Sequence, residues 1–450
     1  MPANKFEVRT FSVFALFSAA SLVLFSIRPL DDWLLNFPIE AYLPFYSLLA
    51  FLLLGRRIGR TWRSLIFWTL YLFVIPLSRP PILENTFTFL WHFVPIFVVL
   101  FAAYYVPDSR NADTGAPLPR GIFWGLMLFA CALKVYTVRN YGLAFGPIDI
   151  GTATIEGAQS ILHGINPYTI PEKSGMQAFI HRQHCVYPPM MLLAYVPWMA
   201  LFSAPPAVGL YVGNFVLDSL SLYFLYLLFS RFAERPMAQS LTLLAALSPV
   251  QLVNLYVRGT NDIVPFVCIC IFLIAVIEER TSRANIAISF AVATKWFSAP
   301  LAALWGLLLL QAKRWRSAVA LLLAGFAMVL VPALPFFWLS PREFLDDLTW
   351  EGRRPVDDWE IPLSLQRTLF GDYHPWLHSL IVALFLYAAF RSLRTQRGLP
   401  SWNWLFVRWS ISLLVIFAIS SNVFHHNYLG WFYSLLPLLF LPAKESSAKG

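Results

Sequence analysis

The chain has 450 residues, of which 58% are hydrophobic, 17% aromatic and 13% charged. Soluble domains sit near about 45–50% apolar and about 25% charged, so a soluble globular protein is excluded. The formal charge of +9 is gathered in short Lys/Arg clusters between apolar runs, which is the pattern of membrane topology and not of a nucleic-acid surface.

Apolar runs of bilayer-crossing length, about 20 residues each, recur from one end to the other. The first, Phe11 to Ile27, follows Lys5 and Arg9 and reads as a retained helix and not as a cleaved signal. The predicted spans are 11–28, 39–54, 62–77, 87–106, 120–138, 207–229, 237–257, 262–278, 284–298, 299–311, 317–338, 376–392, 403–420 and 427–441. Pro300 leaves open whether 284–298 and 299–311 are two helices or one kinked helix. The expected fold is an all-α polytopic membrane protein with about 12–14 spans. Residues 1–110 are expected to form extra N-terminal helices, 111–442 the core with the two long loops, and 443–450 a cytoplasmic tail.

Basic clusters at Arg56, Arg57, Arg60 and Arg63, at Arg231 and Arg235, at Arg280 and Arg283, at Lys313, Arg314 and Arg316, and at Arg391, Arg394 and Arg397 set the cytoplasmic side. The run Tyr187 to Phe202 is apolar but carries Pro188, Pro189 and Pro197. Were it a span, every later basic loop would change sides, so it is predicted as an interfacial or re-entrant helix. Two long loops, 139–186 and 339–375, then share the outer face.

The polar residues of those loops are the candidate site. Asp149 precedes a stretch in which Ile155, Ala158 and Leu162 share a helical face, and Gly164 and Asn166-Pro167 stop it. Asp149 has two readings, a helix cap or a reacting acid. Arg258, Asn261 and Asp262 interrupt two apolar stretches and form either a site or a closed turn. Lys295, near a helix end, either snorkels or meets a phosphate. His425 and His426 open the last span, and as i, i+1 neighbours they do not share a helix face as a metal pair would. Loop 339–375 adds Asp346, Asp347, Trp350, Arg353, Arg354, Asp357, Asp358 and Trp359, which suit a polyol or a lipid head group as well as plain solvation.

The order Asp149, Gly164-x-Asn166-Pro167-Tyr168, Tyr187-Pro188-Pro189, Gly259-x-x-Asp262, Lys295-x-x-x-x-Pro300 and a late His426-x-Tyr428 resembles polyprenyl-phosphate-sugar-dependent glycosyltransferases of the C-type fold. It is most similar to the actinobacterial polyprenyl-phosphate-mannose-dependent α-mannosyltransferases, and its first loop resembles that of the glycosylphosphatidylinositol mannosyltransferases. The likeness covers residues 120–441. It implies transfer of a hexose, mannose foremost, with inversion, from a polyprenyl-phosphate donor to a lipid or glycan acceptor, at the outer face of a bacterial plasma membrane. It makes Asp149 the base. Arg258, Asn261, Asp262, Lys295, Arg353, Arg354, His425, His426, Tyr168 and Tyr187 become donor-phosphate or substrate contacts. The family often carries Gly-Gln-x-Asn where this chain has Gly259-Thr260-Asn261-Asp262, so Asp262 is read either as a supporting contact or as a metal ligand. No cofactor is expected beyond that open divalent metal, and no nucleic-acid partner. The rival readings are a transporter or flippase, which would show inverted repeats and mid-membrane polar residues, and a polysaccharide polymerase or ligase.

Overall fold

A computed structural model of the chain describes residues 120–169, 185–248, 251–353, 373–399, 401–421 and 426–439. The first four predicted spans, Arg354 and His425 lie outside the described residues. Every described element is helical: α1 (Arg120–Thr137), continued as a π-turn over Val138–Gly142, then α2 (Asp149–Leu162), α3 (Pro189–Leu201), α4 (Pro206–Phe232) and α5 (Arg235–Ala246). A π-segment, Leu252–Val257, leads to α6 (Ile263–Ile277) and α7 (Thr281–Thr294). They are followed by α8 (Ala299–Gln311), α9 (Trp315–Leu339), α10 (Pro341–Arg353), α11 (Pro375–Thr395) and α12 (Trp402–Ser420), with 3-10 segments over His426–Trp431 and Tyr433–Leu439.

Four of these stretches are long and apolar enough to cross a membrane: Arg120–Gly142, Pro206–Phe232, Trp315–Leu339 and Pro375–Thr395. The protein is an all-α, polytopic integral-membrane protein. Pro189–Leu201 is apolar but only 13 residues long, about 20 Å at 1.5 Å per residue. That falls short of the roughly 30 Å hydrocarbon core.

The described residues divide into two compact units. One holds 120–136, 225–248, 251–253 and 433–439; the other holds the rest. In the first unit Phe123, Leu126, Ala130 and Leu133 form the buried stripe of α1, and the Phe123 ring meets Tyr226 with centroids 6.3 Å apart.

The second unit is built on α6 and α7. Helix α6 is apolar all round and buried along nearly its whole length, as expected of a helix enclosed by others. Helix α7 is lined with Ala284, Ala287, Ser289, Ala291 and Ala293, all buried. Such small side chains let helices approach closely where lipid offers no hydrophobic drive. Asn285 ties α7 to two neighbours, donating to the Ser317 carbonyl of α9 at 2.9 Å and accepting from Trp305 Nε1 of α8 at 2.8 Å. Each such interhelical bond contributes about 0.6–2 kcal/mol. Trp305 meets Phe272 and Phe406 edge-on, which joins α6, α8 and α12. Helices α11 and α12 are linked by Trp402 Nε1 to the Leu393 carbonyl, 3.2 Å, and by His378 with Ser420 Oγ, 2.9 Å.

Three expectations change in detail. The region 284–311 is two helices, and the break falls at Lys295, which is extended (φ −151°, ψ 132°), before a 3-10 turn over Trp296–Ser298. Pro300 stands in the first turn of α8, where its missing N–H costs nothing. The predicted span 237–257 is α5 plus the π-segment, since the helix ends at Ala246, just before Ser248-Pro249, and a residue preceding proline is pushed out of helical conformation. The predicted span 427–441 is two 3-10 segments separated at Phe432, the second containing Pro437.

Candidate active site

The polar residues that mark the site all belong to the second unit. Helix α2 begins at Asp149 itself. Its N-cap is Ile148, extended at φ −69°, ψ 178°, with no side-chain cap. Asp149 takes the Ile150 N–H on Oδ1 at 2.8 Å. One carboxylate oxygen therefore does quiet the first turn, as a capping acid would. At the other end Gly164 adopts φ +70° and Asn166-Pro167-Tyr168 leads away, the stop that the sequence carries.

The first turn of α2 is docked onto the turn Arg258–Asp262. Ile148 N donates to the Arg258 carbonyl at 2.9 Å. Gly151 faces the Gly259 carbonyl so closely that a Cβ there would lie 2.5 Å from it and 2.6 Å from Pro147 Cβ. Gly259 sits at φ +67°, a conformation open mainly to glycine. Asn261 is fully buried, and its amide donates to Thr154 Oγ1 at 2.8 Å. Thr154 Oγ1 in turn donates to the Ile150 carbonyl, also 2.8 Å. The turn is held from behind by Asn214 of α4, which donates to the Leu255 and Thr260 carbonyls at 3.1 and 3.0 Å and accepts from Tyr195 OH at 2.6 Å.

Asp262, the last residue of that turn, is 1% exposed and forms an ion pair with Lys295, whose side chain is 12% exposed. The same oxygen, Oδ1, accepts Trp431 Nε1 at 2.5 Å. Lys295 Nζ lies 5.5 Å from the centre of the Tyr187 ring and 5.8 Å from that of Trp431. Trp431 is sandwiched between Phe297, 3.7 Å and nearly parallel, and Tyr428, 4.0 Å. Asp262 Oδ1 is thus supplied with two donors, an ammonium and an indole N–H. Among the described residues no group of three or more His, Cys, Asp or Glu is arranged to hold a metal ion.

Tyr168 and Tyr187 meet on the other side of the loop. Tyr168 OH donates to the Tyr187 carbonyl at 2.7 Å, and its ring packs against Phe344 and Phe336 at 4.7 and 5.7 Å. Burial, and then the nearby Cys185 and Asp347, hold the Tyr168 phenol well above its ordinary pKa, so it is a proton donor throughout the working range. Asn166 Nδ2 donates to Ser340 Oγ at 3.2 Å. Asp347 of α10 is buried and accepts the Cys185 N–H at 2.6 Å.

Of the residues singled out in the sequence, Asp149, Arg258, Asn261, Asp262, Lys295, Tyr187 and Tyr168 are thus joined by one connected set of contacts. Arg353 closes α10 and His426 opens the first 3-10 segment. Two participants, Trp431 and Thr154, have no counterpart in the sequence reading, and a third, Asp347, was read only as one of the polar residues of its loop. Trp431 carries no local motif. Thr154 shows as one more helical residue. Asp347 had looked like part of a solvated loop, although Phe344 and Asp347 stand at i, i+3, the spacing that puts them on one helix face.

The family model of glycosyltransferase family 87 matches residues 186–439, more than half of the chain. The chain belongs to glycosyltransferase family 87. Neither the curated proteins nor the solved structures compared with it include a match. This family 87 protein is therefore a membrane glycosyltransferase, using a sugar donor and an acceptor in a lipid setting. The matched region takes in Tyr187, the Arg258–Asp262 turn, Lys295 and Trp431; Asp149 and Tyr168 precede it.

Proposed function

We propose that this enzyme transfers a hexose, with mannose the first candidate, from a polyprenyl-phosphate-sugar to a lipid or glycan acceptor at the outer face of the membrane, inverting the anomeric centre. One observation carries the reading. The 2.9 Å bond from Ile148 N to the Arg258 carbonyl ties Asp149 to the turn whose final residue holds Lys295. An acid and a cation thereby share one scaffold.

In this reading Asp149 takes the proton of the acceptor hydroxyl. The acceptor oxygen attacks the anomeric carbon from the face opposite the phosphate, and the bond from that carbon to the phosphate oxygen breaks. Its electron pair stays on the polyprenyl phosphate. General-base assistance of this kind contributes about 10²–10⁴-fold. The leaving phosphate needs no proton donor if a cation meets its growing charge, which is the role assigned to Lys295, with Arg258 beside the same turn. Arg353, Arg354, His425 and His426 remain candidates for further substrate contacts.

The outer-face assignment is supported by chain direction. In the second unit, Asp262 precedes α6 and Lys295 follows α7. Arg280, Arg283, Arg314, Arg391 and Arg394 all sit at the opposite ends of their helices, as the positive-inside rule asks of a site facing outward. Trp296, Trp338 and Trp376 are 59%, 85% and 65% exposed at the helix ends on the site's side, where indoles anchor at the headgroup level. A donor whose phosphate rides at that level and whose chain lies in the bilayer can reach such a site laterally.

The test is transfer in membranes containing the protein, offered polyprenyl-phosphate-[3H]mannose, polyprenyl-phosphate-[3H]glucose or GDP-[3H]mannose. Label is expected to move only from a polyprenyl-phosphate donor, and into acceptors on the outer side of sealed vesicles. Direct transfer from GDP-mannose would overturn the donor assignment. Consumption of a polyprenyl-diphosphate glycan in place of any of these would favour a polymerase or ligase.

A further inference from the structure

The turn Arg258–Asp262 carries more buried polarity than a connection between two helices needs. Thr260, Asn261 and Asp262 are all within 1% of complete burial. Burying an amide or carboxylate is costly unless it is paired, and a turn that only had to reverse the chain could leave these groups in water. Here the two adjacent side chains are spent in two directions. Asn261 reaches toward α2 through Thr154 Oγ1 to the Ile150 carbonyl, one residue from Asp149. Asp262 reaches the other way, to Lys295 and Trp431.

The backbone adds to both arms. The Ile148–Arg258 bond and the close approach of Gly151 to the Gly259 carbonyl add backbone contacts between α2 and the turn. Asn214 and Tyr195 brace the turn itself. The stack Phe297–Trp431–Tyr428 fixes the indole that shares Asp262 with the lysine.

We propose that the Arg258–Asp262 turn is a positioning bracket that sets the placement of Asp149 relative to Lys295, with Asn261 and Thr154 fixing the acid and Asp262 fixing the cation. In this proposal Asn261 and Asp262 act through other side chains: the Asn261 amide N–H holds Thr154 while its buried Oδ1 makes no hydrogen bond among the described residues, and Asp262 holds Lys295. The proposal rests on the reading of Asp149 as base, and it separates two kinetic signatures. Loosening the Asn261–Thr154 arm shifts the base away from the acceptor hydroxyl and lowers kcat. Loosening the Asp262 arm releases the lysine that meets the donor phosphate and its growing charge, so it raises KM for the donor and lowers kcat as well.

The experiment measures kcat and donor KM with polyprenyl-phosphate-[3H]mannose for T154V, T154S, N261A and D262N, each also combined with D149N, in membranes matched for folded protein by size exclusion and thermal unfolding. T154V keeps the shape of threonine and deletes the hydroxyl that both accepts from Asn261 and donates to Ile150. Misplacing a reacting group by about 1 Å costs on the order of 100-fold, so T154V and N261A are expected to lower kcat by about 10- to 100-fold with donor KM little changed. T154S is expected to recover most of that loss. In the D149N background T154V and N261A are expected to add nothing, because the group they position is gone. D262N is expected to raise donor KM as well as lower kcat, and to raise donor KM equally with and without D149N, which sets it apart from N261A.

Equal losses from T154V in the wild-type and D149N backgrounds would overturn the bracket, as would a donor-KM effect from N261A or an unchanged kcat in both variants. A fully active D149N would instead remove the base reading, and is told apart by needing no second substitution. Should T154V not fold, the comparison of N261A with T154S carries the same test.

Discussion

The two ends of α2 are anchored by different means. At its N-terminal end the holding contacts involve backbone and the smallest side chains: Ile148 N to the Arg258 carbonyl, Gly151 against the Gly259 carbonyl, and one amide–hydroxyl link from Asn261 to Thr154. At its C-terminal end the contacts are made by large side chains from α9 and α10, with Tyr168 lodged between Phe336 and Phe344 and Asn166 on Ser340. Backbone contacts between glycines have no rotamer to adjust. Aromatic and hydroxyl contacts can trade geometry at modest cost. The end that bears Asp149 is held largely by backbone and by one short side-chain link, which suits the proposed role of a reacting group held to within about half an ångström.

The largest way to break this contrast is to remove the acid. D149N is expected to lower transfer by about 10²–10⁴-fold while the unfolding temperature hardly moves, because asparagine can still accept the Ile150 N–H. Initial rates with matched protein measure it. Next comes the glycine contact. In G151A the new methyl must displace a carbonyl and a proline ring, so a loss of rate of about tenfold or more is expected. The control is G164A at the other end, where a Cβ would meet nothing but the residue stands at φ +70°. That change is expected to cost about 1–2 kcal/mol of stability and to leave kcat close to wild type. A similar rate loss in both variants would erase the distinction between the ends.

The smallest effect on transfer is expected at Tyr168, where the change is one of stability. Y168F leaves the Tyr187 carbonyl without its buried donor, a cost of about 1–3 kcal/mol seen as a lower unfolding temperature. The pH dependence follows from the raised phenol pKa. The fold favours the neutral phenol, so its contribution is complete below the ordinary tyrosine value of about 10 and is lost as pH climbs from there through the raised value. Wild type is expected to lose stability faster than Y168F on that alkaline arm. Parallel curves would show that Tyr168 is not the group responsible.

How much of this was legible in the sequence depends on the range of the signal. Helix α2 was readable because its face repeats every three to four residues and because Gly164 and Asn166-Pro167 stop it. The shortness of α3 was readable from its three prolines. The start of α8 at Ala299 was readable from Pro300, whereas the earlier end of α7 at Thr294, before an extended Lys295 that pairs with Asp262 33 residues back, was not. Asp347 with Cys185, and Trp431 with Asp262, join residues 162 and 169 positions apart, and no periodicity reports on such pairs. Asn261 was legible as polar in an apolar setting, but the bond of its amide N–H to Thr154 is a property of the folded chain alone.

The most direct measurement is a cryo-EM structure of the protein bound to a non-transferable donor, a polyprenyl phosphonate-linked mannose. The expected result has a phosphonate oxygen about 2.7–3.2 Å from Lys295 Nζ, the Asp262 pair intact behind it, and the Asp149 carboxylate facing the anomeric carbon from the side opposite the phosphorus. A phosphonate seated away from Lys295, or an anomeric carbon turned away from Asp149, would contradict the account.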